Sequence, residues 1–250
     1  MICSVRIACG FEAMAESGKN SSPRRQIVNF AFFRVLPEWR RLSIAERREH
    51  KDEAARVLLR WDCEDMRVLT YTTAGLRGDC DFMLWRISYS LECLNTAHSD
   101  LMKTHLGGYM ECTHSFLGMT RRSQYLIGHE KDNPQALRSY IKAGGSKYLV
   151  IYPFSKTREW YLRPFEERQR VVTEQIRTAE DFRRVRMNTV YSIGVDDNEF
   201  VIALETDHLE DIVDMAMRLR EVENSVHILH DIPRLTAISM PIEQMLERLG

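Results

Sequence analysis

Apolar and polar positions along this chain alternate in two rhythms, and the same order of rhythms is written twice. Residues 27–35 (IVNFAFFRV) form a run of aromatic and β-branched residues of strand length. A helix follows to about Leu59, opened by a capping box in which Ser43 stands three residues before Glu46. Strands are expected at 66–73 and 81–88, a helix across 91–106 and a strand at 110–120. That order, β-α-β-β-α-β, is the ferredoxin-like unit. The second half repeats it. Residues 147–154 (KYLVIYPF) read as a strand, and a helix runs from Pro164, a residue favoured at the first helical position, to about Phe182. Strands 188–194 and 199–206 flank the turn Val195-Asp196-Asp197-Asn198. Asp207 and Glu210 have capping-box spacing before a helix to about Val222, and strand 234–240 is expected to close the unit.

The fold class that follows is α+β: tandem ferredoxin-like repeats whose sheets face each other in a dimeric α/β barrel-type domain. The expected organisation is an N-terminal extension at 1–25, a first half at 26–121, a connecting loop at 122–145 and a second half at 146–242. This fold hosts many functions, so the periodicity alone says little about chemistry.

Composition narrows the function by exclusion. Lys and Arg number 35 against 36 Asp and Glu, which leaves no basic field to attract nucleic acid. No apolar run is long enough to span a bilayer, and the stretch MICSVRIACGF, broken by Arg6, does not read as a secretory signal. The six cysteines form no CxxC pair, and the expectation is reduced thiols in a cytoplasmic protein. There is no P-loop, GxGxxG, GxSxG or HExxH.

Chemistry concentrates in the second half. YPFSKTREWY, residues 152–161, packs a phenol, a hydroxyl, an ammonium, a guanidinium and an indole into ten residues at a strand end. Such a segment suits a redox or anion-binding site, because Tyr and Trp carry one-electron oxidation and Lys and Arg hold carboxylates. A solvated loop at a strand end stays open as the plainer reading. In the helix that follows, Gln175 lies four residues after Val171, on or near the inward stripe. It is either an amide satisfied by a neighbouring strand or a group facing a site. Asn188 is either a strand-edge residue or a donor into a cavity.

The segments YPFSKTREWY, PFEERQRVVTEQIRTAEDF and VRMNTVYSIGVDDNEF resemble the chlorite dismutase superfamily. So do FFRVLPEWRRLSIAERREHKDE, DFMLWRIS and HSFLGMTRRSQY, so that the resemblance spans roughly 25–240. YPFSKTREWY is most similar to the coproheme decarboxylase branch. The resemblance implies a homopentamer that binds iron coproporphyrin III. It implies that hydrogen peroxide drives oxidative decarboxylation of two propionates to vinyls, giving haem b. Tyr152 then matches the catalytic tyrosine, which forms the radical that attacks a propionate. Cofactor contacts are implied for Arg138, Tyr152, Pro153, Phe154, Ser155, Lys156, Gln175, Asn188 and Ser225. Asn188 stands where decarboxylases commonly have a distal glutamine. The departure is in the helix, where the family pattern reads approximately Glu-His-Ile-x-x-Gly. This chain has Glu174-Gln175-Ile176-Arg177-Thr178-Ala179. Gln175 occupies the axial-ligand position, and a neutral carboxamide is a poor iron ligand beside an imidazole. The metal ligand is therefore unassigned. The rival reading is a haem-free or porphyrin-carrying member without peroxidase activity.

Overall fold

The computed structural model describes residues 24–62, 65–126 and 140–250. They form two compact units.

The first unit contains β1 (Ile27–Val35), α1 (Ile44–Trp61), β2 (Met66–Thr72), β3 (Phe82–Ser88), α2 (Leu91–Met102) and β4 (Met110–Met119). Its antiparallel sheet runs β4-β1-β3-β2. This is the ferredoxin-like order. One face of β1 and β3 packs against the helices. Ala31 pairs with Leu84 and Phe33 with Phe82, and these four join Ala54 and Leu58 of α1 and Leu94 and Leu101 of α2 in one core. The capping box of α1 forms: the Ser43 hydroxyl accepts from the Glu46 N–H at 3.2 Å, and the Glu46 carboxylate accepts from the Ser43 N–H at 2.9 Å.

The second unit contains β5 (Tyr148–Lys156), α3 (Arg158–Leu162), α4 (Phe165–Glu180), β6 (Arg186–Tyr191), β7 (Phe200–Thr206), α5 (Leu209–Arg220) and β8 (Ile228–His230). Its sheet runs β6-β7-β5-β8, again antiparallel throughout. Both halves thus carry the ferredoxin-like repeat.

The strand expected at 234–240 is present as β9 (Leu235–Ser239), a hydrogen-bonded neighbour of β5. Its Ile238 and Ser239 pair with Thr72 and Tyr71 of β2. The short β8 adds a pairing at the end of β5 through Ser155↔His230 and Lys156↔Ile228. Beyond β9, α6 (Ile242–Glu247) buries Ile242, Met245 and Leu246 in the core of the first unit. One expectation is corrected, at α5. Its cap is His208, without a side-chain cap bond, and the Asp207 carboxylate instead accepts from the Lys147 N–H at 2.6 Å.

Candidate functional site

Strand β5 sorts its side chains by parity, because successive residues point to opposite faces of a sheet. Val150, Tyr152 and Phe154 share a face with Ile202 and Leu204 of β7 and Met187 of β6, and this face looks toward α4 and α5. Leu149, Ile151 and Pro153 look the other way.

Helix α4 packs beside α5 and the 3-10 turns at 124–126 and 223–227, its C-terminal Ala179 reaches the cluster on the sheet, and only Val171 is fully buried on it. Val172, Ile176 and Ala179 on the helix are half-buried, as are Tyr152, Phe154, Met187 and Thr189 on the facing strands. Tyr152, Phe154, Met187 and Ala179 pack against the cluster of Val150, Ile202, Leu204, Ile212 and Met215, so the face between helix and sheet is apolar but not sealed from solvent.

At one end of that face sits Tyr152. The Arg234 guanidinium lies over its ring, 4.3 Å from the centroid. Burial pushes the phenol above its usual range, with Arg234 pulling it down and Asp231 pushing it up. Asp231 accepts from Arg234 at 2.5 Å and from Arg220 at 3.2 Å.

Four residues along β5, about 13 Å at strand rise, is Lys156. Its ammonium is buried and donates to Asn224 Oδ1. It also lies 4.2 Å from the centroid of the Trp160 ring. Burial brings its pKa down to about 7, with Glu199 opposing. Asn224, only 2% exposed, passes the chain on: its Nδ2 donates to Gln175 Oε1 at 2.5 Å. Gln175 lies on the Val171–Ala179 stripe of α4, as i, i+4 spacing predicts. Beside this relay the His227 ring is 5.2 Å from Trp160, and its Nε2 meets Arg163 Nη1 at 2.5 Å. Burial first, then Arg163 and Lys156, hold that imidazole toward its neutral form.

The structure thus brings Tyr152, Phe154, Lys156 and Gln175 to one side of the sheet. It does not bring Asn188 there. Asn188 pairs with Ala203 on the opposite face, and its Nδ2 donates to Glu205 Oε1 at 2.9 Å. The expectation that Asn188 and Tyr152 line one cavity is corrected by this parity, and the neighbouring Met187 takes the inward place. Ser155 is buried, with its hydroxyl accepting from the Glu199 N–H at 3.2 Å. Ser225 lies half-buried in the 3-10 turn beside Asn224. Arg138 lies outside the described residues. Asn224 and Arg234 are contributors that carry no mark in the sequence, since an Asn in the run Glu-Asn-Ser-Val reads as a turn.

A haem iron does not fit this donor set at the helix. The oxygen that Gln175 offers is engaged by Asn224, and the His227 imidazole beside the relay is engaged by Arg163. Among the described residues, no three His, Cys, Asp or Glu side chains come together as a metal site.

Residues 28–240 match the family model described as Chlorite dismutase. The coproheme decarboxylase of Mycolicibacterium smegmatis is 32% identical over 202 residues, covering 79% of this chain and 84% of that protein. The chlorite dismutase of Ideonella dechloratans is 25% identical over 227 residues, covering 89% of this chain and 79% of that protein. Among solved structures, a mutant chlorite dismutase from Candidatus Nitrospira defluvii superposes with a TM-score of 0.82 at 23% identity, covering 90% of this chain and 95% of that one. That likeness shows the fold.

Proposed function

The chain belongs to the chlorite dismutase family, and on that premise we propose that it binds a carboxylate-bearing porphyrin between α4 and the β5–β7–β6 sheet, without an imidazole bond to a metal. The observation that carries this reading is the partly exposed apolar face between α4 and the sheet, with Tyr152 and Arg234 at one end and Lys156, Asn224 and Gln175 at the other. Apolar walls with a few convergent polar groups are the usual make-up of a cofactor site. Phe154, Met187, Val172 and Ile176 supply the apolar contact. Arg234, whose side chain keeps 35% of its exposure beside the phenol, is a cation suited to a ligand carboxylate. Lys156 is poorly placed for that role, since it is buried and already donates to Asn224.

A second reading is favoured by one observation, the half-buried phenol of Tyr152 under Arg234. It is the peroxide-dependent decarboxylation of iron coproporphyrin III, the activity that the name of the Mycolicibacterium relative suggests. In that reading Tyr152 holds a proton and an electron within reach of a carboxylate paired to Arg234.

Titration of the purified chain with iron coproporphyrin III and with metal-free coproporphyrin III, then peroxide and mass analysis of the porphyrin, separates the two. Saturable binding of both with no mass loss supports the porphyrin binder. Loss of carbon dioxide from the iron form supports the decarboxylase. Binding of neither ends both. If decarboxylation occurs, Tyr152→Phe should leave the dissociation constant within about threefold, because the ring still packs, and abolish turnover.

A further inference from the structure

The relay at Gln175 has a direction, and the direction follows from its first member. A lysine ammonium has three donors and no acceptor. Facing Lys156, Asn224 must therefore turn its Oδ1 inward, because the alternative sets its N–H2 against an ammonium. With Oδ1 committed, the Nδ2 of Asn224 is the atom left to meet Gln175, and it does so at 2.5 Å. Gln175 must then accept through Oε1. Its Nε2 is turned away from Asn224. That nitrogen makes no hydrogen bond to the described residues and is not among the buried unpartnered polar atoms, so it stays reachable.

We infer that Lys156 and Asn224 hold the Gln175 carboxamide with its N–H2 turned into the site, so that this point recognises a hydrogen-bond acceptor on the ligand and gives no ligand to a metal.

The lock is rigid because its middle member is sealed: Asn224 and Lys156 are 2% and 7% exposed, and a buried amide that flipped would leave both neighbours facing a like group. Trp160 and Phe154 wall the ammonium on its remaining sides, with ring centroids 4.2 and 5.5 Å away. Glu199 and His227 are the other titratable groups that act on it. At pH 6, below the value of about 7 to which burial brings Lys156, the amine has no lone pair and the polarity is fixed. The ligand class follows. The site takes a porphyrin or similar macrocycle on its carboxylates and apolar faces, and a central metal adds nothing through Gln175. The ligand's identity rests on the porphyrin reading above; the orientation of the amide does not.

The test has two arms, both on the full chain at pH 6. In the first, side-chain amide hydrogen exchange is followed by NMR, with the Gln175 pair identified by its disappearance in Gln175→Leu. The expected result is slow exchange at Asn224 and fast exchange at Gln175. Protected Gln175 protons beside fast Asn224 protons would overturn the inference. Asn224→Asp should reverse the pattern, slowing exchange at Gln175 by about tenfold or more, since a carboxylate demands a donor from it. Unchanged fast exchange there counts against the relay. In the second arm, metal-free and iron(III) coproporphyrin III should bind within about threefold of each other. An iron preference of about tenfold or more that disappears in Gln175→Leu overturns the inference, because the carboxamide oxygen is then a ligand. If neither porphyrin binds, the proposed function fails, and the exchange pattern still decides the orientation of Gln175.

Discussion

At the scale of single residues, the chemistry turns on which atom Gln175 presents, and its hydrogen bond from Asn224 sets that. Gln175 falls on the inward stripe of its helix by spacing alone. Asn224, which fixes what Gln175 presents, is 49 residues away and has no local signature. Parity fails in the same way at Asn188. A strand's period of two tells which residues share a face, but not which set faces the ligand, and a one-residue choice exchanges Asn188 for Met187. The relay makes two predictions. A metal-bound histidine commonly donates its second ring N–H to a carboxylate or carbonyl. Gln175→His alone would set an imidazole against the Asn224 N–H2, so it should gain little iron-porphyrin affinity. Gln175→His with Asn224→Asp supplies both ligand and acceptor, and should gain about tenfold or more over the single variant, read by titration and by a histidine-ligated ferric spectrum. The second prediction concerns pH. Burial holds the Lys156 pKa at about 7, below its unfolded value, so between about pH 7 and 10 the unfolded chain binds more protons there and stability rises with pH. Below that window the ammonium's cost is fully present. Lys156→Met should flatten this part of the urea-unfolding profile between pH 7 and 9.5. An unaltered slope would show that Lys156 is not desolvated.

At the scale of elements, one spacing gives two outcomes. Ser43 with Glu46 closes its capping box, whereas Asp207 with Glu210 does not. The Asp207 carboxylate is drawn to the Lys147 N–H at the start of β5, sixty residues distant, and a sequence pattern carries no record of such a competitor. The polar face behind β6 and β7 sets a further case. Glu205, 1% exposed, accepts from Arg186 Nε at 3.1 Å and Nη2 at 2.7 Å, from Asn188 Nδ2 at 2.9 Å and from the Gly144 N–H at 2.7 Å. One carboxylate thus ties β6 to β7 and pins residue 144 to the sheet. Removing it strands a guanidinium, an amide and a backbone donor. Glu205→Ala should cost about 3 kcal/mol, the lower end for breaking a buried pair, because Arg186 keeps some exposure. Urea unfolding measures it. A loss under about 1 kcal/mol would mean that water replaces the carboxylate.

At the scale of the whole molecule, the question is how copies of the chain would meet. A net charge of −1 at pH 7 gives copies no long-range repulsion. Among the described residues the second unit exposes Val213 and Met217, one turn apart on α5, and Val226, Leu229 and Ile232 around β8, besides Leu162, Phe165, Ile193 and Val195. A two-fold dimer needs one self-complementary patch, whereas a closed ring joins two different patches head to tail. We propose the ring of five that the family resemblance implies, with a mass by light scattering of five times 29.3 kDa. Met217→Glu and Leu229→Glu should each open it, since burying an unpaired carboxylate at a contact costs several kcal/mol. The two variants then distinguish the kinds of contact. Each keeps the patch the other has lost, so mixing them should give a mixed dimer through the one intact head-to-tail interface. A two-fold contact through either patch alone would leave one variant assembled as before, and a stable monomer of the unaltered chain at micromolar concentration would refute the ring outright.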